Sequence, residues 1–129
     1  MKTVLVVEDD APLALALSLR LKRKGYRVLT AHDALAGVSA AVRESPDLMV
    51  IDLMMPAGGG FSLVERVQRQ VPKAIPIIVT TGSKEDHVLR RALDMGVVAF
   101  FAKPYDGEQV AGMVQAVLGR ADGEARPAR

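Results

Sequence analysis

Acidic, basic and hydroxyl side chains follow four separate apolar runs of this sequence. A carboxylate at the end of a buried strand costs free energy unless another group compensates its charge. Three carboxylates within about 4 Å of one another would repel by roughly 4 kcal/mol per pair at an effective dielectric near 20. Protons or a hard divalent cation with oxygen ligands would each relieve that repulsion. The side chains at the ends of the runs are Glu8, Asp9, Asp52, Thr81 and Lys103.

These side chains together suit the handling of a phosphoryl group. Mg²⁺ is bound in proteins by one or two carboxylates together with phosphoryl oxygens and water. Lys103 and Thr81 would hold the remaining phosphoryl oxygens. Asp52 would be a carboxylate nucleophile, and the acidic pair at 8–9 a metal site. The pattern therefore predicts machinery for forming an aspartyl phosphate.

Plainer interpretations exist for most of these residues. The acidic pair at 8–9 could cap a helix, Thr81 could be a turn residue, and Lys103 could be a solvated surface lysine. Asp52 is the hardest to explain in this way, because an ionised group at the end of a buried strand needs a partner.

The segments that position these side chains alternate between strand and helix patterns. The run at 48–51 is apolar and contains two β-branched residues, which is typical of a strand buried on both faces of a sheet. Each run is followed by a segment with an apolar stripe at helical spacing. Five such units predict an α/β fold with a parallel, doubly wound sheet, whose ligands lie beyond the carboxyl ends of the strands. The predicted strands are 4–7, 26–30, 48–51, 75–79 and 97–102.

Two helices and one strand carry more detailed predictions. The strand at 26–30 is the least apolar and is predicted at an edge of the sheet. Asp33 is predicted to cap the helix after it. Ser83, with Asp86 three residues later, is predicted to form a variant capping box for the fourth helix. The residues predicted to face the core are Leu35, Val38 and Val42 in the second helix and Leu89, Ala92 and Leu93 in the fourth.

The composition is that of one globular domain. The chain has 129 residues, half of them hydrophobic and a quarter charged. It has no cysteine, and no apolar run approaches the roughly 18 residues of a membrane span. The net charge of +2 is too small to indicate direct nucleic-acid binding. We predict a cytoplasmic protein with one domain at 1–119 and a disordered tail at 120–129.

Four segments resemble, in order and spacing, the signatures of the response-regulator receiver domain of two-component signal transduction. They are residues 4–10, 47–56, 75–82 and 103–105. The resemblance covers about residues 2–119 and implies a flavodoxin-like sheet of strand order 2-1-3-4-5 with five helices. It also implies a stand-alone signalling phosphoprotein of a phosphorelay, not an enzyme, with Mg²⁺-dependent self-phosphorylation and self-dephosphorylation.

The resemblance implies a phosphoryl donor and a metal site. Asp52 would accept the phosphoryl group of a phosphohistidine on a sensor histidine kinase or a histidine phosphotransferase. The implied ligands of Mg²⁺, or of Mn²⁺ in its place, are Asp52, Asp9, Glu8 through water and the backbone carbonyl of Met54.

The same resemblance implies a switch. Thr81 would donate a hydrogen bond to a phosphoryl oxygen and Lys103 would pair with it, with a cis bond between Lys103 and Pro104. Phe100 stands at the family's aromatic switch position and lacks the hydroxyl of the frequent tyrosine. Phosphorylation would re-pack the face of helix 4, strand 5 and helix 5, whose positive bias suggests an acidic protein partner. The residues predicted on this face are Lys84, His87, Arg90, Arg91, Tyr105, Glu108 and Gln109.

Met54 and Gly59 also depart from the family's pattern. Met54, two residues beyond Asp52, flanks the path of an attacking water, and a thioether orients water less well than an amide or carboxylate. We therefore expect slower self-dephosphorylation than in receivers with asparagine there. Gly59 replaces a frequent aspartate before the expected Gly60, and the run of three glycines predicts a mobile loop.

Other functions compete with this hypothesis. A receiver-like scaffold that is never phosphorylated, or a receiver fragment of a longer transcriptional regulator, would share the pattern. An Mg²⁺-dependent phosphatase would need a second carboxylate where Met54 stands. Dinucleotide binding would need a glycine-rich turn after the first strand, where the sequence has residues 8–12. His32 and His87 are interpreted as surface residues.

Overall fold

The computed structural model describes residues 1–56 and 59–119. The predicted tail at 120–129, and residues 57 and 58 of the glycine-rich loop, lie outside the described residues. The described residues form five strands and five helices in strict alternation. In chain order they are β1 Thr3–Val7, α1 Ala11–Arg23, β2 Arg27–Ala31, α2 Ala34–Glu44, β3 Leu48–Asp52, α3 Gly59–Gln70, β4 Ile77–Thr81, α4 Asp86–Asp94, β5 Ala99–Ala102 and α5 Gly107–Leu118. The strand bounds differ from the predicted ones by at most two residues.

All five strands are parallel and lie in the order β2-β1-β3-β4-β5. The predicted doubly wound sheet and its strand order are confirmed. Val7 at the end of β1 is in register with Ala31 of β2 and Ile51 of β3. Asp52 is in register with Thr80 of β4. The strands therefore end at one edge of the sheet, where the chemically active side chains follow them.

The sheet separates two apolar clusters. Alternate residues of β1 and β3 point to opposite faces, so that Leu5 and Met49 belong to the cluster under α2, α3 and α4. Val4 and Val50 belong to the cluster under α1 and α5. Every residue of β3 is buried, which confirms that it is the central strand, covered on both faces. Strand β2 is only partly buried and lies at an edge, as predicted.

Helix α2 is capped as predicted but rotated relative to its predicted orientation. The Asp33 carboxylate accepts a hydrogen bond from the Ala36 N–H at 2.7 Å. The prediction that Leu35 and Val42 face the core is wrong, because they are 70% and 51% exposed. Small residues take the buried side instead, and a Cβ placed on Gly37 would lie only 3.1 Å from Leu63 and from Val7. The helix packs so closely that it has no room there for larger side chains.

Helix α4 begins differently from its prediction. Its N-cap is Glu85 without a side-chain cap, and the Ser83 hydroxyl accepts a hydrogen bond from the Glu85 N–H at 3.1 Å. The capping-box prediction is therefore wrong, because Ser83 forms a local turn before the helix instead of capping it. Leu93, predicted to face the core, is 54% exposed, and the buried residues of α4 are Val88 and Ala92.

No helix among the described residues combines the length and the apolar character that crossing a bilayer requires.

Gly60 marks the closest approach of α3 to the strand that ends in Asp52. A Cβ at this position would lie 2.5 Å from the Asp52 carbonyl oxygen and closer still to the Leu53 backbone. We expect Gly60→Ala to lower the free energy of unfolding by about 1–3 kcal/mol, since the helix must move away from the strand. Urea unfolding followed by circular dichroism measures this change.

Gly112, in the middle of α5, is the matched control, because nothing lies within 4 Å of a Cβ placed there. Gly112→Ala should raise the free energy of unfolding by up to about 1 kcal/mol, since alanine favours the helix. If the two variants changed stability in the same direction, the close approach at Gly60 would be refuted.

Candidate functional site

Three carboxylates meet where β1 and β3 end. Glu8 and Asp52 are each only 3% exposed, whereas Asp9 is exposed. One oxygen from each of these three carboxylates lies within 4.8 Å of the others. The grouping follows from the sheet order, because β1 and β3 are hydrogen-bonded neighbours. The three acids that the sequence singled out are therefore brought together.

The Lys103 ammonium lies between the two buried acids. Its Nζ is 2.7 Å from Glu8 Oε1 and 3.1 Å from Asp52 Oδ2. The Lys103 N–H donates to the Thr81 carbonyl at 2.8 Å, which ties the end of β5 to β4. The Lys103–Pro104 bond is cis, as the sequence predicted. One cation thus compensates two carboxylates that are shielded from water.

Burial shifts the pKa values of the ionisable side chains in this cluster. Burial raises the pKa of Glu8 from 4.5 to about 7, although hydrogen bonds from Lys103 and from the Asp10 N–H lower it. Burial lowers the pKa of the Lys103 ammonium, but its hydrogen bonds to Glu8 and Asp52 outweigh this effect, so the pKa lies above its ordinary value. Lys103 is therefore held charged, while Glu8 retains a proton to unusually high pH.

The backbone after Asp52 orients its carboxylate. Asp52 Oδ1 accepts a hydrogen bond from the Met54 N–H at 2.9 Å, while Oδ2 faces Lys103. The Met54 side chain points away from the core and is 53% exposed. The two carboxylate oxygens thus have different partners, and their orientation is set by the turn after β3.

Thr81 lies at the end of β4, beside the acidic cluster. Its residue is fully buried, and its Oγ1 accepts a hydrogen bond from the Ser83 N–H at 2.9 Å. The hydroxyl keeps its own proton as a donor. Phe100, on the neighbouring strand β5, is 37% exposed.

His32 is exposed, as predicted, but it also contacts this site, which the sequence interpretation did not anticipate. Its Nδ1 lies 3.0 Å from the backbone carbonyl oxygen of Glu8. A signal was available, because His32 directly follows β2, and strands of a parallel sheet end at one edge.

The donor set fits a hard divalent cation. All three converging side chains offer carboxylate oxygens, which are the ligands of Mg²⁺ and Ca²⁺. Two of them are buried and one is exposed, so the cluster is open to solvent on the Asp9 side. A cation there would reduce the repulsion between these carboxylates further than Lys103 does.

The fold is a parallel, doubly wound α/β sheet with a cluster of carboxylates at its strand ends, and comparison with known proteins gives the family. Residues 4–115 match the family described as the response regulator receiver domain. This match covers most of the chain, which therefore belongs to the response regulator receiver domain family.

Individual relatives agree with this assignment. The chain is 34% identical over 125 residues to the DNA-binding dual master transcriptional regulator RpaA of Synechocystis, covering 95% of this chain and 51% of that protein. The chain spans about half the length of the curated relatives it matches.

Solved structures share the fold. A CheY-like receiver domain protein from Methanospirillum hungatei superposes with a TM-score of 0.85 at 24% identity, over 92% of this chain and 94% of the other. A response regulator from Burkholderia pseudomallei, solved with a phosphorylated aspartic acid, a calcium ion and citrate, has a TM-score of 0.77 at 28% identity, over 92% of this chain and 74% of the other.

The raised pKa of Glu8 predicts a pH-dependent stability difference. A carboxyl whose folded pKa of about 7 exceeds its usual 4.5 destabilises the folded state as pH rises between those values. In buffer with a metal chelator, Glu8→Gln should therefore gain roughly 3 kcal/mol relative to wild type between pH 4.5 and pH 7.5. Urea unfolding at several pH values measures the difference.

Glu65→Gln serves as the control, because Glu65 is half exposed on α3. Its stability difference from wild type should change less over the same pH range than that of Glu8→Gln. A constant difference for Glu8→Gln would show that burial does not hold the proton on Glu8.

Proposed function

We propose that this protein accepts a phosphoryl group on Asp52 from a phosphohistidine of a sensor histidine kinase or histidine phosphotransferase. The observation that carries this proposal is the ammonium of Lys103 between Glu8 and Asp52, at 2.7 and 3.1 Å. Receiver domains of response regulators interact with histidine kinases, and membership in that family supports the donor. The protein then acts as a signalling component and not as an enzyme with a released product.

The group transfer uses the ionised Asp52 carboxylate as the nucleophile. One carboxylate oxygen attacks phosphorus, the P–O bond forms, and the P–N bond to the donor imidazole breaks. The imidazole leaves with the electron pair of that bond. The Met54 N–H, 2.9 Å from Oδ1, holds the carboxylate in one orientation during the approach of the donor.

Two further residues of the chain stabilise the product. Lys103 pairs with Asp52 Oδ2, so its ammonium is placed to pair with a phosphoryl oxygen once the group is attached. Thr81 has a hydroxyl proton to donate to another phosphoryl oxygen. These two contacts become available only once the phosphoryl group is present, so they favour the phosphorylated arrangement of the loops after β4 and β5.

The metal ion of this proposal is Mg²⁺, and Mn²⁺ could take its place. Bound there, the cation supplies charge neutralisation for the carboxylates and the phosphoryl oxygens. The residues that would hold it are Asp9, Asp52, Glu8 through water and the backbone carbonyl of Met54. The Burkholderia response regulator was solved with both a phosphorylated aspartic acid and a calcium ion, which supports this chemistry for a relative.

The proposed output surface is the face of α4, β5 and α5, where Phe100 would act as the switch residue. Two of the charged residues predicted on this surface already contact other parts of the protein. Arg91 lies 4.1 Å above the Phe61 ring and 3.5 Å from Glu65, so it packs toward α3. Glu108 pairs with Arg20 of α1 at 2.7 Å. His87 Nε2 lies 3.3 Å from Glu85 Oε2. The other predicted residues are Lys84, Arg90, Tyr105 and Gln109.

A second candidate function follows from the length of the relatives. The chain covers 51% of the DNA-binding transcriptional regulator RpaA. A receiver that belongs to a longer transcriptional regulator would use the same phosphorylation and pass the signal to an attached domain. The absence of direct nucleic-acid binding by this chain, its stand-alone nature and its cytoplasmic location stay predictions from the sequence.

Phosphorylation of Asp52 is tested by intact mass after incubation with acetyl phosphate and Mg²⁺. Wild type should gain the mass of one phosphoryl group, and a metal chelator should prevent the gain. Asp52→Ala should gain none, because the nucleophile is gone. Asp94→Ala, which removes an exposed carboxylate on α4, should be phosphorylated like wild type.

The outcome separates the candidates. Phosphorylation of Asp52→Ala would refute the assignment of the acceptor. No phosphorylation of wild type by the small donor or by a phosphorylated kinase domain would favour the scaffold that is never phosphorylated.

The exposed Met54 side chain predicts slow self-dephosphorylation. Met54→Asn adds an amide that can orient an attacking water, and one hydrogen bond of about 1 kcal/mol corresponds to roughly fivefold faster loss of phosphate. The decay of phosphorylated protein, followed by mass after removal of the donor, measures the rate. Met54→Leu keeps an apolar side chain and should decay like wild type; equal decay of the asparagine variant would contradict the prediction.

A further inference from the structure

The main chain of Glu8 is attached to the end of β2 at two points. Its N–H donates to the Ala31 carbonyl at 3.0 Å, which extends the pairing of β1 and β2 by one residue. Its carbonyl oxygen lies 3.0 Å from His32 Nδ1. The Glu8 side chain is held separately, by Lys103 on one oxygen and the Asp10 N–H on the other. Main chain and side chain of one acid thus have independent supports.

The ring of His32 must be the donor in its bond to Glu8. A backbone carbonyl has no proton and only accepts hydrogen bonds. Nδ1 therefore carries a proton, and the neutral ring is the Nδ1–H tautomer, with Nε2 free of its proton. The residue lies at the exposed start of the β2–α2 connection, so the hydrogen bond and not burial holds the ring.

We propose that His32 is a positioning residue for the acidic pair, and that it sets the affinity of this site for Mg²⁺. Glu8 and Asp9 are consecutive, so a bond that fixes the Glu8 carbonyl also restricts the peptide that leads to Asp9. Asp9 itself is exposed and has little packing to hold it. Without the His32 bond, the cation would have to order this segment on binding. This inference rests on the proposed metal site.

Mg²⁺ titration by calorimetry tests the inference with a set of matched variants. Asparagine places a side-chain nitrogen at the position of Nδ1, whereas glutamine places it one bond further out. His32→Ala and His32→Gln should weaken Mg²⁺ binding roughly three- to tenfold, the effect of about one hydrogen bond. His32→Asn should bind within twofold of wild type. Arg69→Ala, which removes an exposed side chain in the last turn of α3, should bind like wild type.

Phosphorylation by acetyl phosphate gives a second readout. His32→Ala should raise the Mg²⁺ concentration for half-maximal rate by the same factor and leave the rate at saturating Mg²⁺ unchanged. A merely structural role would instead lower the unfolding temperature without changing the Mg²⁺ dependence. Unchanged Mg²⁺ affinity in His32→Ala, or an asparagine variant as weak as the alanine variant, would overturn the inference.

The tautomer is tested without metal or phosphate. The ¹⁵N chemical shifts of the neutral His32 ring should show a protonated Nδ1, and an Nε2–H tautomer would overturn the inference directly. If the wild type binds Mg²⁺ and is phosphorylated, and the His32 variants do the same, only the role of His32 is refuted and the proposed metal site stands. A wild type that binds no Mg²⁺ refutes the proposed metal site together with it.

Discussion

The architecture depends on the compensation of two buried carboxylates by one ammonium. Parallel strands deliver the ends of β1, β3, β4 and β5 to the same edge, and so concentrate like charges there. Lys103 pairs with both Glu8 and Asp52, yet burial still keeps the pKa of Glu8 above its ordinary value. Such a cluster is receptive to additional positive charge and to a rearrangement that moves Lys103. The free-energy cost of holding these carboxylates together is thus a property that a signalling site can use.

The sequence was sufficient for the order and type of every element. The run at 48–51 indicated a strand buried on both faces, and the weaker run at 26–30 indicated an edge strand, because both patterns depend on burial that the sequence itself records. The orientations of α2 and α4 were not predictable in the same way. Gly37 allows α2 to approach β1 and α3 within a few ångströms, and this approach depends on residues distant in the sequence.

The site residues that directly follow a strand were predictable from the sequence. Glu8, Asp52 and Lys103 follow apolar runs, and the parallel sheet brought them together. The hydrogen bond from His32 was not predictable from its type, because a single histidine after an edge strand is usually a surface residue. The packing of Arg91 on Phe61 also depends on the separation of α3 and α4, which no local pattern records.

Helix α4 is attached to the sheet by fewer buried side chains than any other helix in the described residues, namely Val88 and Ala92. Contacts at the surface add to these, including the pair between Arg91 and Glu65. Elements held by little apolar area open most readily to solvent. The backbone amides of α4 should therefore exchange with deuterium sooner than those of α3, which has five buried residues. The helix with the least protected backbone would then be the one that carries the proposed output surface.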